Sequence, residues 1–123
     1  MSSRPQRPAL VLVVDDEPTV LEMMARTIRG AGYTVHPASN GPEALALAEE
    51  LPELPDLVVT DLQMEPLRGT ALAELLFSRG LASRFLFVSG SGRDSEYNEE
   101  FGPLLPKPFL PARLLEAVES ILS

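Results

Sequence analysis

Short, continuously apolar runs alternate along this chain with stretches whose apolar residues recur every three or four positions. ALVLVV at 9–14 is aliphatic and rich in β-branched residues without polar alternation, the pattern of a strand covered on both faces. The next stretch, PTVLEMMARTIRGAG, opens on Pro18, places Val20, Leu21, Met24 and Ile28 on one face and closes at Gly30 and Gly32, which predicts a helix. YTVHPA at 33–38 predicts a second short strand, and GPEALALAEEL a second proline-opened helix of strong helix formers. DLVVTD at 56–61 predicts a third strand, TALAELLFSRG at 70–80 a helix and RFLFVSG at 84–90 a fourth strand. A short last strand is expected near 103–106, followed by an amphipathic helix from Pro111. Between them SGRDSEYNEEFG, at 91–102, offers only Tyr97 and Phe101 as large apolar anchors, so the fourth helix is expected to be short or irregular.

Strand and helix alternate without a fixed-period repeat. The economical architecture is an α/β domain with a five-stranded parallel sheet, helices on both faces and right-handed crossovers. At 123 residues the chain fits one domain, expected over 9–123 behind a flexible lead-in at 1–8.

Composition narrows the function. The absence of cysteine excludes disulfides and thiolate metal sites. No apolar run approaches the ~20 residues that span a bilayer, and the N-terminal residues do not read as a signal peptide, so a cytoplasmic location is expected. A net charge of −8 argues against direct nucleic-acid binding, which depends on clustered Lys and Arg.

The candidate chemistry sits where the predicted strands end. Ligands of open α/β sheets bind beyond the carboxyl ends of the strands. Those ends carry Asp15 and Asp16 (first strand), Asp61 (third), Ser89 (fourth) and Lys107 (fifth). Two like charges about 4 Å apart repel by about 4 kcal/mol at an effective dielectric near 20, so three clustered aspartates call for a cation. With oxygen ligands alone and no His or Cys partner, Mg²⁺ is the expected occupant. Metal, ammonium and hydroxyl together would neutralise a phosphoryl group arriving on Asp61.

The pieces VVDDEP, VVTDLQMEPLRG, FVSGSG and PKPF, taken together, resemble a response-regulator receiver domain of two-component signalling, and the likeness covers residues 9–122. The resemblance implies the flavodoxin-like receiver fold with strand order 2-1-3-4-5 and Asp61 as phosphoacceptor. It implies Mg²⁺ held by Asp16, Asp61 and the backbone carbonyl of Gln63, with Asp15 acting on the metal through water. It makes Ser89 and Lys107 the switch and phosphoryl-binding pair, and implies a cis peptide before Pro108. The implied partner is a histidine kinase or a histidine phosphotransfer protein that donates from phosphohistidine, the chain itself being a monomer or weak dimer. Gln63 and Ser91, two residues beyond the acceptor and the switch, are expected to tune the lifetime of the phosphorylated form.

The chain also departs from the family pattern. Glu65 stands where a proline is usual, with Pro66 after it, while Gly69 keeps its offset; Gly90 replaces a common alanine. Leu104 replaces the aromatic expected three residues before the lysine, and the Ser89-to-Lys107 segment is short. These departures predict intact chemistry with an atypical output face; Leu104 and the short 91–102 segment argue for the main rival, a pseudo-receiver that works without phosphorylation, and the complete acidic set argues against it. An ATPase is disfavoured because no GxxxxGK[ST] loop is present. A phosphatase acting through an aspartyl phosphate would want a second acid close after Asp61, and positions 62–64 are Leu, Gln and Met. The receiver is expected either to stand alone or to be part of a larger protein such as a hybrid kinase, and the term enzyme fits it only loosely. His36 is expected to be exposed at a strand end and is given no role; Met23, Met24 and Met64 are expected to pack.

Overall fold

The computed structural model describes residues 8–90, 97 and 99–123. The elements run β1 (Leu10–Val14), α1 (Pro18–Gly30), β2 (Thr34–Ala38), α2 (Gly41–Glu50), β3 (Leu57–Asp61), α3 (Gly69–Ser78), β4 (Phe85–Ser89), β5 (Leu104–Pro106) and α4 (Pro111–Leu122). The five strands form one sheet in the order β2-β1-β3-β4-β5, every neighbouring pair parallel. The doubly wound architecture and strand order expected from the sequence are those found.

The sheet sorts its side chains by parity, because successive residues of a strand point to opposite faces. Leu12, Val14, Val58, Phe85 and Phe87 pack on one side with Ala44 and Ala48 of α2 and Leu72, Ala73 and Leu76 of α3. Val11, Val13, Leu57, Val59, Leu86 and Val88 pack on the other with Met24, Ala25 and Ile28 of α1 and Leu114 and Val118 of α4. With both faces covered, β1, β3 and β4 are buried along their whole length, which is why they read as unbroken apolar runs.

Helix starts follow their local sequence. α1, α2 and α4 each carry proline in the first helical positions. At α2 the Asn40 side chain accepts from the Glu43 N–H at 2.8 Å, while the Glu43 carboxylate turns back to accept from the Ser39 N–H.

One expectation is adjusted. His36 lies in the middle of β2, paired with Leu12, and is half-buried rather than exposed at a strand end. Met24 and Met64 are buried core residues and Met23, partly buried, packs against the α1/α4 face, all as expected. Most of the segment expected to hold an irregular fourth helix, with Ser91 in it, lies outside the described residues, as does nearly all of the N-terminal lead-in. The chain then forms a turn at 99–101, closed by the Gly102 N–H donating to Glu99 O at 3.2 Å. Tyr97 and Phe101 do anchor it. Tyr97 packs edge-on against Phe87, Phe101 does so against both Phe85 and Phe77, and the Tyr97 hydroxyl donates to Gly102 O at 2.7 Å.

Candidate functional site

Register alone brings the candidate residues to one rim. Val14 pairs with Thr60 and Asp61 with Val88, so the ends of β1, β3 and β4 lie level, and Ser89 pairs with Pro106 to bring in β5. Asp15 follows β1 directly and its N–H donates to Ala38 O. The N–H of Lys107 donates to Ser89 O at 2.8 Å, extending the β4–β5 ladder one residue beyond the last strand position. The Lys107–Pro108 bond is cis, as the resemblance implied, and the Glu65–Pro66 bond is cis as well.

At that rim Asp15, Asp16 and Asp61 each present a carboxylate oxygen, and these oxygens all lie within 4.8 Å of one another. Asp15 and Asp61 are buried and Asp16 is exposed, so the cluster opens to solvent through Asp16. Lys107 Nζ stands 3.0 Å from Asp15 Oδ2, 3.3 Å from Glu17 Oε1 and 3.5 Å from Asp61 Oδ2. The Asp15 oxygens are used unequally. Oδ1 accepts from the Glu17 N–H at 2.9 Å, whereas Oδ2 meets the ammonium off the axis of a hydrogen bond and is buried without a hydrogen-bond donor.

The electrostatics follow from burial and crowding. Burial first, and then the neighbouring Asp15 carboxylate, push the Asp61 pKa up to about 6, against the pull of Lys107 and of the Gln63 N–H. Burial also raises Asp15, opposed by the Glu17 N–H and the Lys107 ammonium. For Lys107, burial disfavours the charge, but the carboxylates of Asp15, Asp61 and Glu17 outweigh it and hold the ammonium more firmly protonated than usual. One cation thus stands against Asp15, Asp61 and Glu17 and cannot neutralise them all.

This donor set fits a hard divalent cation. All three ligands are carboxylates, their oxygens already converge, and a buried Asp15 oxygen without a hydrogen-bond partner has a lone pair to offer a metal or a metal-bound water. Softer metals that favour thiolate find no cysteine in the chain.

The loop after β3 is held against the site. Thr60 Oγ1 donates to Asp61 O at 3.0 Å, and the Gly69 N–H donates to Leu62 O at 3.0 Å. Gly69 passes so near that a Cβ there would lie 2.2 Å from Asp61 O, so only glycine fits. Gln63 is exposed, and its N–H approaches Asp61 Oδ1 at 3.4 Å, a long contact.

Of the residues singled out from the sequence, Asp15, Asp16, Asp61 and Lys107 are brought together, Ser89 sits buried on the strand end between Asp61 and Lys107, and Gln63 borders the acceptor. Glu17 was passed over. Its signal was present in the third consecutive acid of VVDDEP, but its partner lies 90 residues away and only the fold supplies it.

A doubly wound parallel sheet with an acidic, cation-competent pocket at its carboxyl rim is thus the class that fold and site define. Residues 11–119 match the family model described as response regulator receiver domain. The chain is 38% identical over 119 residues to the sensor kinase CckA of Brucella abortus (strain 2308), covering 93% of this chain and 12% of that protein. It is 32% identical over 118 residues to the alkaline phosphatase synthesis transcriptional regulatory protein PhoP of Bacillus subtilis (strain 168), covering 91% of this chain and 48% of PhoP. The structure of the chemotaxis response regulator CheY4 of Vibrio cholerae superposes with a TM-score of 0.83 at 28% identity, covering 94% of this chain and 99% of that one. The chain belongs to the response-regulator receiver family of two-component systems. It spans half or less of the length of these two curated relatives. Among the described residues no helix is long and apolar enough to cross a membrane.

Proposed function

We propose that this receiver accepts a phosphoryl group on Asp61 from a phosphohistidine of a histidine kinase or histidine phosphotransfer protein, with Mg²⁺, and signals through protein contacts. The observation that carries the reading is the convergence of Asp15, Asp16 and Asp61 around one point, with Lys107 reaching both Asp15 and Asp61.

Asp61 is the nucleophile. With a pKa near 6 it is mostly ionised at pH 7. A carboxylate oxygen attacks phosphorus and the P–O bond forms as the P–N bond to the donor imidazole breaks; the bond's electron pair and a solvent proton go to the departing nitrogen. Lys107, held within reach of Asp61, supplies positive charge to the transferring phosphoryl oxygens, and Ser89 supplies a hydroxyl from the neighbouring strand end. Asp15, Asp16, Asp61 and the Gln63 carbonyl are the groups that would hold Mg²⁺. When bound, the ion offsets the negative charge of phosphoryl and carboxylates. Water later attacks phosphorus, the acyl P–O bond breaks and inorganic phosphate leaves with the Asp61 carboxylate restored. Gln63 and Ser91 are assigned to control that water. The receiver segment is 9–123, working in the cytoplasm as a monomer or weak dimer, without direct nucleic-acid contact.

Intact-mass measurement after incubation with Mg²⁺ and acetyl phosphate tests the reading. The expected result is one phosphoryl adduct on the wild type and none on Asp61→Asn. An unmodified wild type would instead support an interaction module that works without phosphorylation.

A further inference from the structure

We propose that Glu17 is a positioning residue for phosphoryl transfer: its carboxylate shares the Lys107 ammonium with Asp15 and restrains it from swinging fully to the phosphoryl on Asp61. This inference rests on the receiver reading and assigns a residue that reading leaves idle. Glu17 occupies the N-cap of α1, where a short Asp, Asn or Ser would accept a helix N–H, yet its side chain caps nothing. It points instead to Lys107, with Oε1 3.3 Å from Nζ. Its backbone is fixed at both ends, the N–H donating to Asp15 Oδ1 at 2.9 Å and the carbonyl accepting from Leu21 N–H at 2.9 Å. The side chain therefore reaches the lysine from a rigid base.

The geometry of the lysine makes the competition concrete. Lys107 is largely buried with 14% of its side chain exposed, and Glu17 Oε1 is slightly nearer its Nζ than is Asp61 Oδ2, at 3.3 against 3.5 Å. The ammonium is a single charge on one tether, so a full move onto phosphoryl oxygens at Asp61 takes it away from another of its carboxylate partners. Asp15 is fully buried and held by the Glu17 N–H, whereas the Glu17 side chain is 62% exposed and can be rehydrated. Glu17 is the partner that yields, and transfer includes breaking its ion pair.

Two variants separate reach from charge. Glu17→Gln removes the charge, and Glu17→Asp keeps it but is one methylene shorter. The rate of adduct formation from acetyl phosphate with Mg²⁺ is expected to rise about two- to fivefold in both variants, the scale of a part-exposed ion pair. Neither substitution should change the rate in a Lys107→Ala background. In parallel, side-chain NMR of the metal-free proteins should show the Lys107 ε-methylene gaining mobility in both variants. Through-space repulsion of the donor by Glu17 would leave Glu17→Asp at the wild-type rate and preserve the Gln effect without Lys107; that result overturns the proposal, as does unchanged Lys107 mobility. A wild type that forms no adduct overturns the receiver reading and this inference with it, whereas a normal adduct at equal rates in all Glu17 variants overturns this inference alone.

Discussion

Gly69 lies against Asp61 so closely that the main chain of the loop after β3 and the main chain of the candidate acceptor touch where any side chain would stand. A Cβ on residue 69 would meet Asp61 O at 2.2 Å, Asp61 C at 3.0 Å and Leu62 Cα at 3.0 Å, all backbone atoms that no rotamer change can move aside. Gly69→Ala must therefore shift the start of α3 or the end of β3. The expected cost is about 1–3 kcal/mol, the usual range for overpacking, despite alanine's better helix propensity. Chemical denaturation measures it. Because relief displaces the Asp61 main chain, adduct formation should slow beyond what the remaining folded fraction explains.

The same crowding makes stability depend on pH. Asp61 has a folded-state pKa near 6 against an ordinary 3.8. A carboxyl whose pKa is raised by folding binds more protons folded than unfolded between those values, so its stability contribution falls as pH rises through that window. Asp61→Asn removes the ionisation. In metal-free protein the variant should be more stable than wild type above about pH 6 by roughly 1–3 kcal/mol, at about 1.4 kcal/mol per tenfold change in proton affinity. The difference should fade as pH drops toward 4. Thermal melts of both proteins at matched pH check this, and a gap that stays constant from pH 4 to 8 contradicts it.

Much of this site was legible in the sequence because the parallel sheet does the sorting. VLVV and LVVT read as strands buried on both faces, and parallel strands linked by helices deliver Asp15 and Asp61 to one rim whatever the loops contain. The strand ends told less about contacts. Glu17 reaching Lys107 depends on an N-cap side chain that forgoes capping, and the Gly69 contact depends on a loop path of the kind that no periodicity encodes. His36 was expected at a strand end and exposed, although the predicted strand itself, 33–38, ran past it. β2 does continue through Pro37 to Ala38, as an edge strand tolerates a residue without an N–H, which leaves His36 at its middle.

Divalent cation binding should be visible without any phosphodonor. Mg²⁺ binding to the folded state alone stabilises it by about 2.7 kcal/mol at a hundredfold excess over Kd, a melting-temperature rise of roughly 10 °C for a domain of this size. The gain should nearly vanish in Asp16→Asn. That substitution is a clean probe, since Asp16 is exposed and its loss leaves the buried Asp15–Lys107 pair in place. Melts with and without Mg²⁺ on wild type and variant decide it, and an equal gain in both would remove Asp16 from the ligand set.

Phosphoryl lifetime should depend on the residue two beyond the acceptor. Gln63 is exposed beside Asp61, its N–H 3.4 Å from Oδ1, so its side chain starts within a few bonds of the phosphorus on a modified Asp61. A long polar side chain there screens that phosphorus from bulk water, and alanine would not. Gln63→Ala is expected to shorten the adduct half-life by a few-fold, below the tenfold that about 1.4 kcal/mol of barrier would give. The initial rate of labelling should change little, since Gln63 supplies none of the charge that receives the phosphoryl. Ser91→Ala is the parallel variant on the switch side. The measurement is decay of the adduct by intact mass after removal of the donor, at fixed pH and Mg²⁺. Wild-type half-lives in both variants would show that water reaches phosphorus by another route.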